Sequence, residues 1–199
     1  MKIDAYSRHR YYAYKPDSNA FAGVTFAESI SGNDSPTIAD LHWEDSPYGT
    51  SWKVRECVGF DDNPSRTGDF PSVSDYNRVP MMSFRAWESL RPLIENVCEP
   101  LPIKHPFLGE YVLIHVLRTI DALDEERSEI ERRSMEDPRI RQVRRYAFRQ
   151  SMIEGIHMFK LPNKSGSELI VDEVFRTTVE EQGLQGLVFQ ELPMVPDSP

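Results

Sequence analysis

Two stretches of this chain are written to the same plan, and that plan limits what the chain can become. The first, VPMMSFRAWESLRPLIENVCEPLPI (79–103), opens on a short apolar run at 79–82 and then meets Ser83, whose hydroxyl suits a helix N-cap. Phe84, Trp87, Leu90, Ile94 and Val97 follow at helical spacing and predict one buried helix face. Pro92 lacks an amide hydrogen and crowds the preceding turn, which predicts a kink or a restart there. Cys98 to Ile103, with prolines at 100 and 102, reads as extended. The second stretch, ELIVDEVFRTTVEEQGLQGLVFQEL (168–192), repeats the order. Leu169 to Val171 reads as a strand, Asp172 as the cap, and Val174, Phe175, Thr178 and Val179 as the buried helix face. Gly183 is placed to end that helix in the left-handed conformation, and Leu187 to Phe189 returns as a strand. Setting Ser83 on Asp172 brings Leu90 onto Val179, so the chain carries a weak internal repeat of two strand-helix-strand cassettes.

Between the cassettes lie YVLIHVL (111–117), a strand, and the acidic stretch IDALDEERS (120–128). Glu125 to Glu136 favours a helix that Asp137-Pro138 would end. VRRYAFR (143–149) and IHMFKL (156–161) read as two more strands. Upstream, residues 1–79 are rich in Ser, Asp, Gly, Pro and Tyr, with short apolar runs at 20–30, 41–44 and 50–60. VRECVGF (54–60) reads as a strand with Val54, Glu56, Val58 and Phe60 on one face and Arg55, Cys57 and Gly59 on the other. DDNPSRTGDFPSVSD (61–75) reads as loop and as a boundary. The expected fold is therefore α+β: two cassettes, about 79–103 and 168–190, flanking a central strand-rich segment, with a β-rich irregular N-terminal lobe. Residues 1–78 form that lobe, 79–192 the main domain and 193–199 a tail.

Charge narrows the partners. The net charge of −9 argues against nucleic acid, whose binders usually carry a basic surplus, and suits a basic protein partner or simple solubility. It is uneven: residues 125–150 balance at +2, with eight arginines, and residues 151–199 at −5. Such an arginine band is expected to be a solvated face paired with acidic neighbours. No apolar run approaches the ~20 residues of a membrane helix, and the N-terminal stretch has no apolar signal core. Cys57 and Cys98 fit no metal or redox spacing and read as reduced thiols of a cytoplasmic protein.

From about 79 to 192 the chain resembles a family of bacterial immunity proteins that accompany polymorphic and contact-dependent toxins. Four pieces carry the resemblance: MMSFRAWESLRPLIENVCEPLPI, HVLRTIDALDEERS, IHMFKLP and LIVDEVFRTTVEEQGLQGLVFQEL. Their order and spacing persuade together. Lys160, Asp172 and His115 stand where arginine, serine and asparagine are expected. The resemblance implies a protein that binds and neutralises a cognate toxin and has no catalytic centre or cofactor.

Paired carboxylates leave a second reading open, a small metal-dependent hydrolase using Asp121, Asp124 and His115. Asp121 and Asp124 would share a face on a helical turn, and with Glu125 they offer oxygens to a hard cation. The competing expectation is that Asp121 caps the turn leaving the strand, with Ile120 and Leu123 in the core. His115 is expected to be a hydrogen-bonded core histidine; the histidines show no metal-ligand spacing and there is no nucleophile elbow. Both glycines of Gly-Leu-Gln-Gly (183–186) are assigned to helix termination. Under the immunity reading, the candidate contacts are Asp124, Glu125, Glu126 and Glu129, with Glu180 and Glu181 as a second patch. Tyr11, Tyr12, Tyr14, Trp43 and Tyr48 are assigned to the N-terminal lobe's core ahead of a binding role.

Overall fold

The computed structural model describes residues 10–26, 40–59, 66–73, 79–105, 110–134, 136, 139–162 and 169–196, apart from the side chains of His42 and Trp43. The elements in chain order begin with β1 (Tyr11–Pro16), β2 (Val24–Phe26), the single turn α1 (Asp40–Trp43) and β3 (Arg55–Gly59). Next come β4 (Met81–Ser83), α2 (Phe84–Ile94), β5 (Cys98–Lys104) and β6 (Tyr111–Val116). The chain then forms β7 (Glu129–Arg132), β8 (Ile140–Arg145) and β9 (Met158–Lys160), and closes with β10 (Leu169–Asp172), α3 (Glu173–Glu181) and β11 (Leu187–Glu191). The architecture is mixed α+β, as the two periods in the sequence require.

Both cassettes form, and each is a split unit. The strands β4 and β5 run parallel, with β6 antiparallel between them. Similarly β10 and β11 flank a central antiparallel strand, but that strand is β1, about 160 residues earlier in the chain. Tyr12 sits opposite Val171 on one side and Glu191 on the other. The line drawn at residue 79 therefore does not coincide with a sheet boundary. Strands from before it complete both sheets, which run β11-β1-β10-β9 and β2-β3-β5-β6-β4.

Period-two alternation sorts side chains to three cores. Tyr12, Tyr14, Met82, Ile114, Met158 and Val171 face the helices and pack on Trp87, Leu90, Phe175 and Val179. The intervening residues Tyr11, Phe159 and Ile170 face the other way, against Leu123, Phe148 and the β7–β8 hairpin. Met81, Leu101 and Leu113 face a third core with Leu41, Trp52 and Cys57. Sheets covered on both faces explain why their strands read as nearly continuous apolar runs. The tyrosines of β1 are core residues, but of the cores built by residues after 79 and not of a separate N-terminal lobe, because β1 pairs with β10 and β11. Trp43's side chain and residues 27–30, 60–65, 74–78, 137 and 138 of the expected segments lie outside the described residues.

The helix caps are those expected. Ser83 Oγ accepts from the Ala86 amide at 3.1 Å, and Asp172 Oδ1 from Phe175 at 2.9 Å. Gly183, at φ +60°, closes α3 with two bonds, Leu184 N to Val179 O at 3.0 Å and Gly183 N to Glu180 O at 3.1 Å. Gly186 does not share that role; it lies where its Cα faces the Phe70 backbone.

Three expectations change, and on β3 the structure selects between the two faces left open. The helix α2 runs through Pro92 without restarting, because the proline sits in its last turn and only one backbone bond is lost before Ile94. Phe84 and Val174 are 46% and 47% exposed, since the buried stripes are Ala86-Trp87-Leu90-Ile94 and Phe175-Val179. On β3 the buried face is that of Cys57. Finally, 125–136 contains no helix among its described residues: one turn leads into β7, whose Ile130 packs against Val143 across the hairpin. Pairing with β8 and the packing of Ile130 against the hairpin core outweigh helix propensity there.

Candidate partner-binding surface

The stretch 120–128 is laid against its neighbours by the backbone. Lys160 N donates to Arg118 O, Ile120 N to Lys160 O, Asp124 N to Ala147 O and Arg149 N to Ala122 O, all at 2.8 Å. These bonds bury Ala122 and Leu123 beneath the hairpin. Asp124, not Asp121, is the capping residue: its Oδ1 accepts from Arg127 N at 3.3 Å and its carbonyl from Ser128 N at 2.9 Å. Ser128 Oγ then donates to Ala147 O and accepts from Ala147 N. Asp121 stands outside that turn and pairs with Arg149 at 3.1 Å.

The carboxylates expected to form an acidic edge are matched by the arginines of the hairpin. Glu125 pairs with Arg132 at 2.5 Å and Glu129 with Arg145 at 3.4 Å. Glu131 takes one guanidinium on each oxygen, Arg141 at 3.1 Å and Arg144 at 2.9 Å. The Arg144 bond holds the Glu131 carboxyl below its ordinary range, with Arg141 adding to the effect. Glu126 is exposed on the same turn. The arginine band is thus paired with acidic neighbours, as its composition led us to expect.

The second acidic patch lies on α3, away from the hairpin. Glu180 pairs with Arg176 at 2.5 Å, and the same guanidinium binds Glu173 at 2.5 Å and lies over the Tyr12 ring. Glu181 is exposed beside it. The hairpin and α3 acids are two separate surfaces.

The hydrolase trio is not brought together. His115 is fully buried on β6, stacked on Tyr48 with ring centroids 4.9 Å apart. Its Nδ1 lies 3.3 Å from Glu99 and its Nε2 2.9 Å from the Glu44 carbonyl. Glu99 in turn accepts from Tyr48 N and Gly49 N at 2.8 and 2.6 Å. Lys160, buried at the junction of the sheets, reaches Asp45 at 3.0 Å. These groups pin the segment 44–52 across the back of β5 and β6. Among the described residues no three His, Cys, Asp or Glu side chains are grouped to hold a metal. Burial pushes the Cys57 thiol up to about 12 and raises Cys98 further, away from nucleophilic thiolates.

Residues 66–73, part of the expected loop 61–75, form the hub between the cassettes. Phe70 is fully buried. Asp69 accepts from Ser83 Oγ at 2.7 Å, Arg85 Nη2 at 2.8 Å and Gln185 N at 2.8 Å, so it touches the start of α2 and the turn after α3. Burial disfavours its charged form, and the bonds from Arg85, Ser83 and Gln185 outweigh that, holding the carboxyl below its ordinary range. A Cβ on Gly68 would meet Phe21 Cδ1 at 2.7 Å and Gln185 O at 2.9 Å. Nothing in Gly-Asp-Phe-Pro announces this; the residues have turn composition and their partners lie far away in the chain.

The segment that builds the hairpin, β9 and the whole second cassette now has a counterpart. Residues 104–193 match the model of an immunity protein family, Imm11. The match bears out the resemblance read from the sequence to an immunity-protein family. It spans three of the four pieces that carried that resemblance, and β4 and α2 lie before it. No curated protein matches the chain. Among the described residues, no helix is long and apolar enough to cross a membrane.

Proposed function

We propose that the protein binds one bacterial toxin domain in the cytoplasm of the producing cell and neutralises it, acting by occupation and without chemistry of its own. The observation that carries this reading is the Imm11 match, which runs unbroken through the charged hairpin and the second cassette. Two further features support it. The side chains an enzyme would use are committed to structure: His115 to Glu99 and the Glu44 carbonyl, Asp124 to a turn, Asp121 to Arg149. The exposed surface of 124–145 is densely charged, which suits steered association and partner discrimination. The acidic contacts Asp124, Glu125, Glu126 and Glu129 belong to this face, and Glu180 and Glu181 form the competing one.

Co-expression with the toxin encoded in the neighbouring reading frame tests the reading. Growth should be restored, and the two proteins should co-purify as a stable complex. A neighbour that kills equally with and without this protein removes the proposal. Association should also slow as salt rises, because exposed charges are screened beyond ~8 Å at physiological ionic strength.

A further inference from the structure

The hairpin's charges have an order that the sequence alone does not reveal. Residues 129–145 carry six arginines and four acids, a balance of +2, so the remainder of the chain carries −11. The arginines also stand outside the acids. Glu131 is 30% exposed, whereas Arg141 and Arg144, which bind its two oxygens, are 70% and 67% exposed. Arg145, on the same strand as Arg141 and Arg144, pairs with Glu129 at 3.4 Å, with both side chains about equally exposed. Around Glu131 the outermost layer is guanidinium, and the carboxylate beneath acts as a brace.

A guanidinium carries five donors in a planar fork. Among the described residues, Arg141 and Arg144 each make one hydrogen bond, to Glu131, and their remaining donors point to no other described group. A braced arginine loses less side-chain freedom when it meets a second carboxylate, and arginine is favoured among residues that dominate binding energy. The opposite side of the hairpin is committed to the core through Ile130, Ile140 and Val143, so the strands hold these forks on a fixed platform. We infer that the docking surface is the Arg141–Arg144–Arg145 face of β7–β8, and that it receives a toxin domain presenting spaced carboxylates. This inference rests on the immunity reading and reverses the sign of the charge first expected at the contact. A polyanionic nucleic acid fits less well, because each fork is already half-neutralised and the rest of the molecule repels a continuous phosphate backbone.

The test uses the full chain and the toxin domain encoded beside it. Arg141→Gln with Arg144→Gln should slow association and weaken affinity by about a hundredfold while the thermal midpoint stays near that of the parent, since both side chains are exposed. Arg141→Glu with Arg144→Glu should abolish protection in co-expression. Glu180→Gln with Glu181→Gln should leave affinity unchanged. If the parent binds and the arginine variants bind equally well, the docking face lies elsewhere and the immunity reading stands. If the glutamate pair carries the loss instead, the inference is overturned in favour of the α3 patch. Arginine-dependent binding of a short single-stranded RNA, with none of the toxin, overturns both, as does a parent protein that neither binds nor protects.

Discussion

The two cassettes reach one topology with different local chemistry. In the first, the cap is a hydroxyl and the carboxylate stands one step behind it: Ser83 holds the Ala86 amide and is itself bonded to Asp69 at 2.7 Å. In the second, the cap is the carboxylate and the supporting group is basic: Asp172 holds the Phe175 amide and bonds His157 Nδ1 at 2.8 Å. The helix exits also differ, one running through Pro92 into a tight turn and the other closing on Gly183. A shared fold constrains where a cap and an exit must be, and leaves open which atoms supply them. The brace is where the two halves diverge most, because Asp69 also bonds the second cassette through Gln185.

Removing that brace should therefore cost most. Asp69→Ala strands the Ser83 hydroxyl and the Gln185 amide together and should lower stability by about 3 kcal/mol in urea unfolding. A loss no larger than that of a single cap would show that the hub does not couple the cassettes. Cap removal comes next: Asp172→Ala should cost about 1–2 kcal/mol and Ser83→Ala about 1 kcal/mol. Equal losses would mean that His157 adds nothing to the second cap. At the exits the signs should oppose. Gly183→Ala should destabilise by about 1 kcal/mol, because an alanine resists positive φ. Pro92→Ala should stabilise by about the same amount, by restoring one helical bond. If both substitutions move the midpoint the same way, the exits are not the alternatives described above.

The smallest effect is in pH, and its direction differs between the braces. The bond to Asp172 outweighs partial burial and raises the His157 imidazole above its ordinary value. Its contribution is complete below about pH 6.5, the unfolded value, and is lost as pH rises through the folded one. Asp69 is held low, so its contribution is complete above about pH 3.9 and is lost as pH falls through its folded value. Thermal midpoints should decline gently from about pH 6 to pH 8, and His157→Gln should flatten that decline. Asp69→Asn should flatten only the acid limb. A His157→Gln profile parallel to the parent's would remove the second brace.

What was legible in the sequence follows interaction range. Ser83, Asp172 and Gly183 act within a few residues of themselves, and each does what its neighbours imply. Strands β6, β9 and β10 announce themselves because burial on both faces leaves apolar runs. The failures involve distant partners. Glu125 to Glu136 has helical composition, and only the arrival of Ile140 and Val143 makes β7 a strand. The acidic edge looked acidic because the sequence does not show which arginines reach it; Glu125 meets Arg132 and Glu129 meets Arg145, 7 and 16 residues later. Asp69 has no local signal at all, since its partners lie 14 to 116 residues away.

The position of β1 has a consequence for how such a chain is made. Its six residues, YYAYKP, are central in their sheet, yet the strands on either side of them end at residues 172 and 191. At about 5–20 residues per second, the ribosome needs roughly ten seconds or more to deliver those partners. Throughout that interval an aromatic strand is without the two partners that pair its edges in the folded sheet. When β10 and β11 emerge, they find the centre of their sheet already made, and the later strands enclose the earlier one.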